Sequence, residues 1–295
     1  MASLPPALGA TTFSTLAGLP DDVLDVAVGA ALIAKDVYPG LDVRDVLTQL
    51  DALAGPLGGG ALVGLPIAAQ AEAVSERFRE LGFTGNAEDY YDPRNSLLPD
   101  VLERRTGIPL TLTIVWCSIA RKAGVLARGV GFPGHFLARI DEVPALSGRT
   151  SLTHPVIVDP FAGGSIVTDA DADVLLRRAG GRGGERPGEL DRALFEPTGP
   201  RMTLVRLLTN LKTIWENQNA HAKAFLAIDR MVDLVPDSAR LLRDRANVAL
   251  RLGLRAAART DFERVLLLDP RASDAAMLKR RIAELSAKAT PAALN

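Results

Sequence analysis

Residues 92–140 read DPRNSLLPDVLERRTGIPLTLTIVWCSIARKAGVLARGVGFPGHFLARI, and residues 154–161 read HPVIVDPF. Within the first stretch, Leu110 to Ala123 is apolar almost all round: Leu110, Leu112, Ile114, Val115, Trp116, Ile119 and Ala120 leave no polar face. A helix apolar on every side is buried on every side. This segment therefore predicts the central helix of a domain. Pro109 suits its first turn, where a missing N–H costs nothing, and Gly124 stops it. Short strands follow. Arg128–Phe132 is one, Pro133-Gly134 is a turn signal, His135–Ile140 is a second strand, and Val156–Val158 is a third. A polar loop, Asp141 to Thr153, separates the last two. If those two pair antiparallel, the start of one lies opposite the end of the other, and His135 faces Asp159. A carboxylate beside a histidine orients the ring and favours its protonated form. The same pair also reads as a buried structural hydrogen bond.

Upstream of this core the pattern is helical. The first 20 residues are rich in Pro, Thr and Ala and read as loose. A helix starts at Pro20-Asp21-Asp22, with Leu24, Ala27, Val28, Ala31 and Leu32 on one stripe, and ends near Tyr38-Pro39-Gly40. A second runs from Asp42 to about Leu53 on Val43, Val46, Leu47 and Leu50. Gly55 to Gly64 reads as a flexible connector. A third helix, Pro66 to Leu81, turns Ala69, Ala73, Phe78 and Leu81 inward, and a short one spans Asp100 to Arg105 on Val101 and Leu102.

From Met202 onward the chain reads helical throughout, and it repeats. AFLAIDRMVDLVP ends at Pro236 and AARTDFERVLLLDP ends at Pro270, 34 residues later. That is the tetratricopeptide period, in which each helix pair buries its face on the next. Leu242, Ala246, Ala249, Ala258 and Phe262 fall where one repeat needs them, as do Leu208, Leu211, Trp215, Ala224 and Ile228 in the other. Ser273 to about Ala287 reads as a closing helix. Two repeats are too few to be stable alone, so they are expected to dock on the preceding domain. The organisation expected is thus a loose segment 1–20, a first domain 21–200, and a helical repeat region 201–295.

The 295 residues are 47% hydrophobic and 23% charged, with a formal net charge of -1. This is ordinary globular composition, long enough for two domains. It carries no basic field to attract nucleic acid. Arg177, Arg178, Arg182 and Arg186 cluster in a glycine-rich stretch that reads as a solvated, flexible segment. The single cysteine, Cys117, excludes an intrachain disulfide and points to a reducing compartment. The N-terminus lacks the features of a signal peptide, and no segment has the apolar length of a membrane span, so a cytoplasmic protein is expected. Three histidines and one cysteine give no metal-ligand spacing, and no cofactor is called for. His154, before a proline, and His221, at a polar helix start, read as surface residues.

The motifs NSLLPDVLERRTGIPLTL, GVGFPGHFLARI and PVIVDPF resemble the bacterial SirB-type proteins of the transglutaminase-like superfamily. IAKDVYPGLDV and RLLTNLKTIW resemble them too, so the likeness spans nearly the whole chain. The resemblance implies an α+β fold. A papain-like core sets a central buried helix against an antiparallel sheet, with N-terminal helices before it and all-α tetratricopeptide-like repeats after it. It also implies a Cys-His-Asp site in which His135 matches the histidine and Asp159 the aspartate. The superfamily places its cysteine in a Gly-x-Cys at the start of the helix. Here that triplet is Gly107-Ile108-Pro109, so Pro109 occupies the nucleophile position. Cys117 lies eight residues further on, about 80° round and about 12 Å along a helix. Its apolar neighbours predict a raised pKa and an inert thiol.

Three functions are compatible with these residues. One is a non-catalytic interaction or regulatory module, a pseudoenzyme whose pocket comprises Arg94, Asn95, Pro109, His135 and Asp159 and whose repeats bind a protein or peptide. In that pocket Asn95 could serve instead as a turn former or helix cap. The second is a cysteine-dependent peptidase or acyltransferase, which requires Cys117 to reach His135. The third is acid–base chemistry by His135 and Asp159 with water as nucleophile.

Overall fold

A computed structural model describes residues 12–142, 154–180 and 191–287 of the chain. The chain divides into two compact units, Met1–Leu207 and Leu208–Asn295. Twelve α-helices and six strands occur among the described residues. In the first unit the helices are α1 (Phe13–Ala17), α2 (Val26–Val37), α3 (Val43–Ala52), α4 (Ile67–Glu80), α5 (Leu98–Arg104), α6 (Pro109–Lys122) and α7 (Asp169–Arg178). Its strands are β1 (Thr84–Gly85), β2 (Thr106–Gly107), β3 (Ala127–Val130), β4 (Leu137–Ile140), β5 (Val156–Asp159) and β6 (Ser165–Ile166). Helix α8 (Pro200–Asn217) crosses the boundary between the units, and α9 (His221–Leu234), α10 (Ala239–Arg251), α11 (Arg255–Leu268) and α12 (Ala275–Ala287) complete the second. The protein is α+β, and no described helix is long and apolar enough to cross a membrane.

Helix α6 is the centre of the first unit. Pro109 stands at its first position, and Leu110, Leu112, Val115, Trp116, Ile119 and Ala120 are all buried. Helices α2, α3, α4 and α5 pack round it, as do β3 and β4. The sheet runs β3-β4-β5-β6, antiparallel throughout. Side chains of a strand alternate between its faces. Val130, Leu137 and Ile157 join Ala172 and Leu176 of α7 and Phe195 in one cluster, so α7 covers the face away from α6. A two-residue parallel pair, β1 with β2, lies just ahead of α6. Gly85 of β1 leaves room for Phe161: a Cβ there would fall 2.6 Å from the phenyl ring.

Several elements differ from the sequence expectations. Part of the supposedly loose N-terminus is packed, because Phe13 and Leu16 of α1 are buried behind a Thr12 cap. Helix α2 begins at Val26 rather than at Pro20, since Asp25 accepts the N–H groups of Ala27 and Val28 (2.8 and 3.1 Å) and fixes the start there. The 55–64 connector is tied down, with the N–H groups of Gly60 and Leu62 donating to the carbonyls of Lys122, the last residue of α6, and of Ala123, its C-cap. Helix α4 is rotated from its expected face. Gln70, Ala71, Val74, Ser75 and Phe78 turn inward, while Ala69 is exposed. The cause is polar: Gln70 donates to the carbonyls of Leu62 and Leu65, and Ser75 accepts the Trp116 indole N–H. Of the arginine cluster, Arg177 and Arg178 end α7 and Arg177 pairs with Asp173. Arg182 and Arg186, and the polar loop from residue 143 to 153, lie outside the described residues.

In the second unit all of the repeat positions named above are buried, from Leu208 and Trp215 to Ala258 and Phe262. Consecutive helices from α9 to α12 pack in sequence. Arg245 of α10 binds three helices together. It grips Asp261 of α11 through two hydrogen bonds (2.9 and 2.6 Å) and reaches Asp229 of α9 at 2.6 Å. Asp261 is 4% exposed, so removal of its partner would strand a buried charge.

Arg245→Ala is expected to destabilise the second unit by about 3 kcal/mol, more than Asp229→Ala, whose carboxylate is the more exposed; urea unfolding followed by circular dichroism reads the difference. Gly85→Ala is expected to cost about 1–3 kcal/mol by overpacking against Phe161, and a thermal melt of the full chain checks it.

Candidate functional site

Asp159 ends β5, and Pro160 turns the chain into a single 3-10 turn, Pro160–Ala162. The aspartate caps that turn: Oδ1 accepts the N–H groups of Phe161 (2.9 Å) and Ala162 (3.4 Å). Its other oxygen, Oδ2, stands 2.9 Å from His135 Nε2. Both side chains are nearly buried, 11% exposed for His135 and 9% for Asp159. The structure therefore brings together the two residues that the strand argument paired, but by a different route. The register sets Ala138 opposite Val158, and continued by one residue it sets Leu137 level with Asp159. His135 lies ahead of β4, in the turn after Pro133-Gly134, and reaches Asp159 diagonally. Its N–H donates to Phe132 O (3.0 Å), closing the turn. The Phe161 ring meets the imidazole edge-on, centroids 5.8 Å apart. Such a pair can orient the imidazole and hold a proton at Nε2. Among the described residues Nδ1 has no protein partner.

The start of α6 is built from backbone and hydroxyl groups. Thr111 Oγ1 accepts the Ile108 N–H (3.2 Å) and donates to Asn95 O (2.7 Å). Pro109 is buried there and offers neither a nucleophile nor an N–H. Cys117, the one thiol, lies two turns along α6. Burial pushes its pKa up to about 12, against a small opposing pull from the Arg121 charge one turn later. Its side chain lines a recess of about 230 Å³ together with Thr113, Phe136, Arg121 and Leu24. Neither His135 nor Asp159 lines that recess.

Asn95 and Arg94 serve the scaffold. The Asn95 side chain is wholly buried. Its Nδ2 donates to Asp89 O (2.7 Å), and its Oδ1 accepts from Asn86 and Arg104 (3.3 and 3.4 Å). Arg94 and Arg104 flank the buried Asp92 at 2.8 and 3.3 Å. Burial disfavours the ionised Asp92, yet the hydrogen bonds and charges of these arginines outweigh it and hold the carboxyl below its ordinary range. Asp92, rather than Asn95, caps the 3-10 turn Pro93–Ser96 by accepting the Arg94 N–H. His154 is exposed; His221, at the start of α9, is partly buried, and among the described residues its Nδ1 has no hydrogen-bond partner.

One side chain beside His135 had no signal in the sequence. Arg206, on α8, donates through Nη2 to the carbonyls of His135 (2.5 Å) and Phe132 (3.2 Å). Its position depends on α8 returning to the turn that carries His135, a contact some 70 residues apart in the chain, and no local motif marks it.

Comparison with known proteins agrees with this architecture. A family model described as "Transglutaminase-like superfamily" matches residues 44–209, and one described as "Tetratricopeptide repeat" matches residues 211–283. A UPF0162 protein of Xylella fastidiosa is 38% identical over 93% of this chain and 94% of its own length. One from Pseudomonas aeruginosa is 30% identical over 87% of this chain and 89% of its own. F-box only protein 21 of Homo sapiens is 25% identical over 80% of this chain, which spans only 40% of that protein. No solved structure matches. With a core that sets a buried helix against an antiparallel sheet and a histidine–aspartate pair at its edge, the chain belongs to the transglutaminase-like superfamily, among the UPF0162 proteins, with tetratricopeptide repeats after the core.

Proposed function

We propose that this protein is a transglutaminase-fold module that does not perform cysteine-protease or transglutaminase chemistry and acts by binding, as an interaction or regulatory protein. The observation that carries this reading is the state of its only thiol. Covalent catalysis needs a thiolate within reach of a base. Burial pushes the Cys117 thiol up to about 12, which leaves little thiolate at neutral pH. It opens into a recess that His135 does not line, and Pro109 stands at the first turn of α6. The alternative, a Cys-His-Asp peptidase or acyltransferase, needs Cys117 to meet His135.

The repeats supply the binding half of the proposal. Tetratricopeptide arrays present a concave, helix-lined surface suited to a protein or peptide segment. Nucleic acid and membrane are not the partners proposed, because the chain lacks the basic field that either would require.

Iodoacetamide labelling of the native protein between pH 5 and 9 tests the first half. A thiol with a pKa near 12 should label slowly, its rate rising about tenfold per pH unit without a plateau, and His135→Ala should leave that profile unchanged. Fast labelling at pH 6 that His135→Ala abolishes would sink the proposal in favour of an enzyme. For the second half, partner capture by the full chain should be lost from a chain ending at Asn219, with both species shown to be monodisperse by size exclusion. Equal capture by the two would remove the repeats from the binding role.

A further inference from the structure

The recess beside Cys117 lies apart from the histidine–aspartate pair, and four segments of the first unit meet round it: the start of α2, the middle of α6, β3 and the start of α8. Its inner wall is buried and mostly apolar, with Leu24, Ala27, Ile114 and Phe136 each 6% exposed or less. Phe136 is a fixed part of that wall. Its carbonyl accepts the Thr113 hydroxyl at 3.3 Å, and the Arg206 guanidinium lies 5.3 Å from its ring centroid. Gly129 makes room for the ring, since a Cβ there would fall 2.6 Å from its edge. A side chain held from three directions keeps the space beside it open, so the recess is preformed.

The polar side chains on the wall decide what the recess can take, and each is already engaged. Thr113 donates to Phe136 O, Thr203 donates to Gly199 O (3.1 Å), and Thr198 accepts the Gly131 N–H (2.8 Å). At the exposed rim, Arg121 pairs with Asp25 and Arg128 with Asp141, both at 2.6 Å. The Cys117 thiol is a weak donor that packs like a small hydrophobe. A buried water needs about two to four polar partners, and a charged guest needs an uncommitted counter-charge. The side chains of this wall supply neither, and what they leave unused is apolar surface. An apolar cavity of about 150 Å³ takes a benzene ring. This recess measures about 230 Å³, which leaves room for a ring with a short substituent.

We propose that the recess between α2, α6, β3 and α8 binds a compact, uncharged apolar molecule, up to about the size of one substituted aromatic ring. The inference goes beyond the function proposed above, because it uses neither the His135–Asp159 pair nor the repeats. Cys117 is a wall residue in it, not a nucleophile. The driving force is the displacement of poorly held water from a preformed apolar space.

The test is an NMR titration of the full chain carrying 13C-methyl isoleucine. The Ile114 signal is assigned by its loss in Ile114→Val, and that of Ile228, in the core of the second unit, by its loss in Ile228→Val. Toluene and sodium benzoate are added to separate samples, the benzoate carrying the same ring with a charge. Toluene should shift the Ile114 signal saturably and leave Ile228 in place, and benzoate at the same concentration should move neither. Cys117→Phe should abolish the response by filling the recess from α6, and Ala127→Leu should weaken it from β3. Circular dichroism confirms that each variant is folded. Should either fail to fold, the other decides, and the titration of the native chain decides by itself if both fail. No saturable shift at Ile114, an equal shift at Ile228, a response to benzoate equal to that to toluene, or an unchanged affinity for toluene in a folded variant overturns the proposal.

Discussion

A helix buried along most of its length must satisfy most of its polar atoms from inside the protein, and α6 shows how that demand shapes the first unit. Thr111 donates to the carbonyl of Asn95, Thr113 to that of Phe136, and Ser118 to that of Ile114, while the Trp116 indole donates to Ser75. Three of these bonds leave the helix. They reach the 93–96 turn, the residue before β4, and α4, so the surroundings of α6 are placed by direction as well as by apolar contact. Leaving any one unmade would cost about 1–3 kcal/mol. The bond to Phe136 also fixes the residue next to His135, which links the buried helix to the edge of the sheet.

That link also shows how the histidine–aspartate pair is held in place. Asp159 has a structural task independent of chemistry, since it caps the turn carrying Phe161. His135 is held by its own turn, by Asp159 and by the edge of Phe161. None of these contacts involves the first residue of α6. The first turn of α6 can therefore carry a proline while the pair stays intact, and the recess beside Cys117 is a separate feature on another part of the helix.

The parts that were legible in the sequence are those in which one kind of residue dominates a whole element. The apolar run of α6, the antiparallel order of β4 and β5 and the 34-residue spacing of the repeats belong to this class. Boundaries failed where one side chain decides them, as with Asp25 at the start of α2. The face of α4 was misread because Gln70 and Ser75, polar by type, turn inward to serve carbonyls and an indole. Strands β1 and β2 are two residues each and have no pattern to read, and α7 opens on DADAD, which carries no apolar period. At the site, His135 and Asp159 could be found because strand order brings them together, whereas Arg206 arrives from a distant helix.

The two tryptophans of the chain fall one in each unit: Trp116 in the middle of α6, with its indole bonded to a serine, and Trp215 near the end of α8, 4% exposed. Each lies in the core of its own unit. Intrinsic fluorescence therefore resolves the molecule into two optical channels. A single-tryptophan variant lacking Trp215 reports only on the core around α6, and one lacking Trp116 only on the repeats. The question of whether the units unfold as one cooperative body or in succession is thus written into the chain as two built-in chromophores, without any attached label.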